Sequence, residues 1–408
     1  MGQRFSGAGW AAFRSRDFRL FVAARLLSGA ATQMQNVAVG WLIYDLTKSA
    51  WALGLAGLAA FLPSLFLILV TGPIADRFER RVVLMISYAL LAASAFGLLA
   101  CAVVGVSEVW PLYALIVLAG GARAFGHPAG QALIPSLVRR EDFANAIAWN
   151  SSTWHTAIIV GPSLGGLLYA FGPAVVFATA AAAFASAAAL AGFIAARPAP
   201  LEREPVTWAT VSAGLTYIRS QPVLLGAISL DLFAVLLGGA TALLPIYAQD
   251  ILHVGPWGLG LLRSMPGLGS VAMAILLAHV PLRRRSGRRM LIAVALFGLA
   301  TVGFGVSTNL SLSLACLVVV GASDMVSVYV RQTLVQLETP DHMRGRVSAV
   351  NSVFVGASNE LGEFESGVLA GLVGAVAAVV IGGVGTVSVA VLWARIFPDL
   401  RDRDALIR

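Results

Sequence analysis

Lysine is all but missing from this chain: Lys48 is the single one among 408 residues. Charge of any kind is scarce, at 12% Asp, Glu, Lys and Arg, against about a quarter in soluble domains, which excludes an ordinary water-soluble globule. Only two cysteines occur, Cys101 and Cys316, both inside apolar runs. A disulfide framework or cysteine metal cluster is thereby excluded, and no metal is expected. The chain has no His-Glu-x-x-His, no phosphate-binding Walker loop and no cysteine or histidine cluster, so neither an enzyme nor a cofactor is expected. No secretory leader is expected either, because Met1–Arg19 holds four arginines and no continuous apolar core. The opening Met1-Gly-Gln-Arg-Phe-Ser6 fits the loose myristoylation pattern. An acyl chain would add nothing to a chain already held in a membrane.

What the chain has is apolar length: 58% of it is hydrophobic. A bilayer core of roughly 30 Å takes about 20 apolar residues per helix. Twelve such spans are predicted: Phe18–Tyr44, Trp51–Thr71, Val82–Val104, Val109–Gln131, Phe143–Tyr169, Gly172–Ala196, Val223–Tyr247, Trp257–Val280, Met290–Val306, Leu310–Val335, Val347–Leu372 and Ala375–Ile396. They consume nearly the whole length and leave little for a soluble catalytic domain. The fold class is therefore an all-α membrane protein of twelve transmembrane helices, with the lipid bilayer as its first partner.

The net charge of +8 could suggest nucleic acid, but its distribution does not. Arginines crowd alternate loops (Arg14, Arg16 and Arg19; Arg77, Arg80 and Arg81; Arg139 and Arg140; Arg283 to Arg285; Arg401 and Arg403), and the other loops offer little beyond Lys48. That positive-inside pattern puts both termini in the cytoplasm. Residues 1–196 then form one six-helix bundle and residues 223–408 another. A 197–222 linker joins them: it opens with Pro198, Pro200 and Pro205 and continues as an amphipathic helix through Trp208, Val211, Leu215 and Ile218 at the cytoplasmic interface.

The two bundles repeat. An offset of 201 residues superposes Gln131 on Gln332, Asn150-Ser151 on Asn351-Ser352, Gly161 on Gly362 and Gly166 on Gly367. An offset of 206 places Trp51-Ala-Leu-Gly-Leu55 on Trp257-Gly-Leu-Gly-Leu261. Duplicated halves are a transporter architecture, with the solute site near the midplane.

Two motifs stand out. The turn after the second span reads Gly72-Pro-Ile-Ala-Asp76-Arg77-Phe-Glu-Arg80-Arg81: a glycine for a tight turn, an acid to cap a helix N-terminus, and arginines to hold carboxylates. In the fifth span, Gly161-Pro162-Ser-Leu-Gly165-Gly166 combines close-packing glycines with a proline that removes one backbone hydrogen bond; ordinary helix packing would also produce it. The first motif resembles the loop signature of the major facilitator superfamily, and the second resembles that superfamily's antiporter motif. The resemblance implies two six-helix pseudo-symmetric bundles and a cytoplasmic loop remade during alternating access. The second-half copy of the loop is degenerate, with Arg284 in place of the acid. The stretches His127-Pro-Ala-Gly-Gln131 and Pro340-Asp341-His-Met-Arg344-Gly345-Arg346 look like the efflux branch that includes the bacterial enterobactin exporter.

Ionisable groups at bilayer depth are functional candidates by default: Arg25, Arg123, Asp231, Arg263, Asp324, Arg331, Glu360, Glu363 and Glu365. Arg25 and Asp231 are offset by 206, Arg123 and Asp324 by 201. The first half thus offers cations where the second offers anions, and these are expected to face one another, unless each is neutralised locally. Glu360 and Glu363 share a helix face, where crowding suits proton exchange; a cation ligand or a partner for Arg331 or Arg344 is the alternative. His155, beside Trp154, is a third candidate for the solute cavity. The function expected is proton-coupled export of a small organic solute (a siderophore, drug or metabolite) from a bacterial cytoplasm, by a monomer in the inner membrane. The alternatives are uptake of a polar nutrient by symport, or a non-transporting membrane receptor.

Overall fold

The computed structural model describes residues 8–196, 208–280, 282 and 285–404, without the side chains of 8, 68–77, 208–211, 341, 342 and 349. The opening hexapeptide, the linker prolines, Arg284 and the side chains of Gly72, Asp76, Arg77, Trp208 and Val211 lie outside this description. All regular structure among the described residues is helical. A 3-10 turn, Ala8–Arg14, precedes α1 (Arg16–Thr47), α2 (Ala50–Arg77), α3 (Arg80–Val104), α4 (Trp110–Leu137), α5 (Phe143–Tyr169) and α6 (Pro173–Gly192). Then come α7 (Trp208–Ser220), α8 (Pro222–Leu237), α9 (Leu244–Ile246) with a π-helical turn Tyr247–Ile251, and α10 (Gly255–His279). The chain ends with α11 (Ser286–Val306), α12 (Leu310–Glu338), α13 (Asp341–Val373), α14 (Ala375–Ile396) and α15 (Pro398–Arg401).

The twelve spans are therefore helices, and one of them is broken. The seventh is α8 followed by a 3-10 turn at Ala240–Leu243 and then α9. The pair Gly238-Gly239 ends the continuous helix, and Pro245 restarts it without an amide donor. Among the described residues, eight helical segments are long and apolar enough to cross a membrane by length and composition; α1, α4, α5 and α13 are not among them. Those four carry Arg25, Arg123, His155 and the three glutamates.

The chain divides into two compact units, Met1–Leu42 with Ala59–Pro205, and Ile43–Leu58 with Val206–Arg408. In the first, Phe18, Phe21, Leu84, Leu91, Leu133, Ile134 and Phe184 form the core. Its N-terminal turn is tied to α5: Asn145 and the Trp149 indole both donate to the Gly9 carbonyl, at 2.9 and 2.8 Å. The Asp17 carboxylate accepts from the amides of Ala195 and Ala196 at 3.1 and 2.9 Å, holding the end of α6 against the start of α1. Helices α1 and α5 meet through small residues, where a side chain on Gly161 would stand 2.7 Å from Gln33 Cβ and one on Gly165 would stand 2.8 Å from Met34 Cα.

In the second unit, Leu224, Leu230, Met290, Val330, Leu334, Val347 and Leu400 are core. Helix α7 docks onto this core: Ile218 is fully buried, and the Tyr217 hydroxyl donates to the Glu338 carbonyl at 2.8 Å. The tip joining α1 to α2 also belongs to this unit. There the Tyr44 hydroxyl donates to the Asp250 carboxylate, Lys48 donates to Gln249 at 2.7 Å, and Gly54 packs on the backbone of Gly367.

The repeat is clearer in backbone than in sequence. Lys48 and His253, offset by 205, open equivalent turns in the left-handed region at φ 48° and 51°. Gly172 and Gly374, offset by 202, precede α6 and α14 at φ 107° and 88°, a conformation open to glycine and costly for other residues.

Candidate solute and coupling sites

Within the first unit, helical spacing converges polar groups on one cavity. Arg25, Ser28, Gly29 and Thr32 share one face of α1; Ser87, Tyr88 and Leu91 come from α3, Arg123, Gly126 and His127 from α4, and Trp154 from α5. Together they line a cavity of about 100 Å³. Two of its hydroxyls are spent on helix carbonyls: Ser87 donates to Ala122 at 2.6 Å and Thr32 to Ser28 at 2.9 Å. Arg25 reaches over Gly130, with Nη1 3.6 Å from where a Cβ on that glycine would stand. The Tyr88 ring is 4% exposed. Its hydroxyl lies beside Arg25 and Ser28, near enough for both to act on it, without a well-formed hydrogen bond to either.

Within the second unit the charges are arranged differently. Asp231 on α8 pairs with Arg331 on α12 at 3.2 Å, with the two side chains 6% and 3% exposed. Ser327 donates to the other Asp231 oxygen at 3.4 Å, and Arg331 donates to Asn351 on α13 at 2.6 Å. Asp324 lies one turn from Ser327 and lines the same narrow cavity, with Asp231, Ser323, Val294 and Phe297. Both Asp231 and Arg331 act on it electrostatically. Two carboxylates thus share one guanidinium. Asp231 finds its counter-charge inside its own unit.

The remaining candidates are dispersed. On α13, Glu363 accepts from Thr241 at 3.4 Å and lies in the field of Arg263. Glu360 is also engaged. His155 is half-buried on α5, and Trp154 rather than His155 lines the first cavity. In the loop motif, Arg80 is buried and donates to the Ala132 carbonyl at 3.0 Å. Arg81 donates to the Ile194 carbonyl at 2.6 Å and pairs with Glu79 at 3.1 Å. Gly161, Pro162, Gly165 and Gly166 are all buried.

Sequence reasoning passed over Tyr88, His127 and Ser327 as site residues. It held Arg331 and Asn351 without joining them. The Asn150–Asn351 match was the available signal: a paired asparagine at bilayer depth needs a polar partner, and Arg331 is that partner.

Helical bundles with buried ionisable clusters and a doubled architecture define a polytopic membrane transporter. The chain belongs to the transmembrane secretion effector family, whose profile matches residues 7–406, within the major facilitator superfamily. The enterobactin exporter EntS of Citrobacter koseri is 27% identical over 391 residues, covering 94% of this chain and 92% of that protein. EntS of Shigella boydii serotype 18 matches to the same extent. Among solved structures, a bacterial homologue of the human lysosomal transporter Spinster, inward-facing and unoccupied, superposes with a TM-score of 0.71 at 15% identity, covering 95% of this chain and 98% of that one. The nucleoside transporter NupG gives 0.70 at 14%, covering 94% and 99%. At those identities the structural likeness concerns the fold.

Proposed function

We propose that this protein exports a small organic solute across a bacterial inner membrane by alternating access, in exchange for protons. Similarity along 94% of the chain to enterobactin exporters supports the direction of transport. The observation that carries proton coupling is the buried Asp231–Arg331–Asp324 group. With both carboxylates ionised it holds one uncompensated negative charge. Burying a charge without a partner is costly, so one bound proton restores neutrality. Asp231 keeps Arg331 as its counter-ion, which makes Asp324 the seat of the exchangeable proton. Glu360 and Glu363 remain secondary candidates, and the glycine–proline stretch of α5 fits the exporter reading. The cytoplasmic placement of both termini and the six-plus-six division belong to the same proposal.

The test is flux in proteoliposomes with an imposed pH gradient. Wild-type efflux should accelerate when the trans side is acidic, and Asp324→Asn should transport at a rate indifferent to the gradient. Wild-type flux that ignores the gradient would remove proton exchange from the mechanism.

A further inference from the structure

The repeat makes one absence in the first unit informative. In the second unit, Asp231 and Arg331 form a buried pair. Their counterparts at offsets of 206 and 201 are Arg25 and Gly130. In the first unit the guanidinium is therefore supplied from the first helix of the repeat, over a glycine that makes room for it. No carboxylate takes the other place: among the described residues Arg25 forms no ion pair, and the cavity lining holds Arg25 and Arg123 but neither Asp nor Glu. A second observation points the same way. The Tyr88 hydroxyl, more than nine-tenths buried on that lining, stands beside Arg25 and Ser28 without a well-formed hydrogen bond to either. Buried polar groups are nearly always satisfied, so an unsatisfied one on a cavity wall is a place for a ligand atom. Trp154, 43% exposed on the same lining, adds a flat aromatic face.

We propose that this cavity binds the anionic, ring-bearing end of the transported solute. A carboxylate on a single aromatic ring takes the place that Asp231 fills in the other unit. Arg25 donates to the anion in charge-assisted hydrogen bonds, Tyr88 donates its hydroxyl to the same group, and Trp154 stacks on the ring. A cavity of about 100 Å³ accommodates one ring and its acid, so the rest of a larger solute lies outside it. The inference rests on the transport reading for its purpose, but binding can be measured without a gradient.

The experiment is calorimetric titration of the full-length protein in nanodiscs with salicylate, benzamide and benzylamine. Salicylate should bind. Benzamide, of similar shape but uncharged, should bind roughly tenfold more weakly, the loss expected for a charge-assisted hydrogen bond, and benzylamine more weakly still. Arg25→Gln should lose roughly tenfold in salicylate affinity and nothing for benzamide, and Arg25→Lys should recover part of it. Tyr88→Phe removes only the hydroxyl and tests the site should Arg25→Gln fail to fold; it should weaken salicylate severalfold at an unchanged melting temperature. Equal affinity for salicylate and benzylamine, or salicylate binding untouched in a folded Arg25→Gln or Tyr88→Phe, would overturn the proposal. Failure of proton exchange would appear only in the flux assay, so the two ideas fall separately.

Discussion

A buried ion pair adds little when intact and costs much when halved. Asp231 and Arg331 are both almost fully enclosed, and each also takes a hydrogen bond, from Ser327 and to Asn351. Removing Arg331 strands Asp231, at a cost of roughly 3–5 kcal/mol. Arg331→Gln should therefore lower the melting temperature of the detergent-solubilised protein more than the Asp231→Asn, Arg331→Gln double variant does, and Asp231→Asn should cost less because Asp324 is left as a counter-ion for Arg331. If the two losses simply added, the residues would not be coupled. Asp324→Asn should leave the melting temperature near wild type, because neutralising it leaves Asp231 and Arg331 matched. At this scale the sequence was half legible. Depth in the membrane followed from position along an apolar run, which is why Asp231, Asp324 and Arg331 stood out. The direction in which each side chain points did not, because Asp231 meets a residue 100 positions away that no spacing rule connects to it.

The association of α1 with α5 depends on side chains that are missing. Gly161 and Gly165 lie one turn apart and face Ala30, Gln33 and Met34 of α1, while Gly29 of α1 faces Ala157. Helices in lipid associate through close packing rather than hydrophobic drive, so bulk at this seam acts directly on assembly. Gly165→Leu should sharply reduce both folded yield and efflux. Gly161→Ala should cost about 1–3 kcal/mol, the usual range for overpacking. Thermal melts of the two variants would rank them, and equal stability would show that the seam yields. The Gly-Pro stretch itself was visible in the sequence, but its partner surface was not. Two further elements escaped for physical reasons. The break after α8 comes from adjacent glycines that each look tolerable in a membrane helix. The tip Ile43–Leu58 packs into the second unit although it lies in the first half of the chain, a long-range association that local pattern cannot encode.

For the whole molecule, the repeat supplied the architecture and the differences between its copies supplied the chemistry. Twelve spans and a doubled plan were legible because lipid imposes one periodicity on every helix. The cavities were not, because α8, α11 and α12, each apolar enough to span, bring Asp231 and Asp324 together only through packing. The C-terminal end adds a pH expectation. Hydrogen bonds from Arg401, and then from Arg288, hold the exposed Asp402 carboxyl down at about 2. A depressed folded value means that this clamp is complete above the ordinary carboxylate range and lets go as pH falls through about 2. Hydrogen exchange in α15 should thus show no step between pH 5 and 9 beyond the intrinsic base-catalysed trend, and any pH response of efflux in that window must arise elsewhere. The lone lysine has a different consequence. Lys48 is half exposed, paired with Asp45 at 3.0 Å and bonded to Gln249 at 2.7 Å. Because the chain holds no other ε-amine, an acylating ester modifies one side chain besides any free α-amine, and the native protein carries a chemical reporter at that tip with no cysteine engineering. The acylation rate at that amine reads how often the Lys48–Gln249 bond opens in the unaltered sequence.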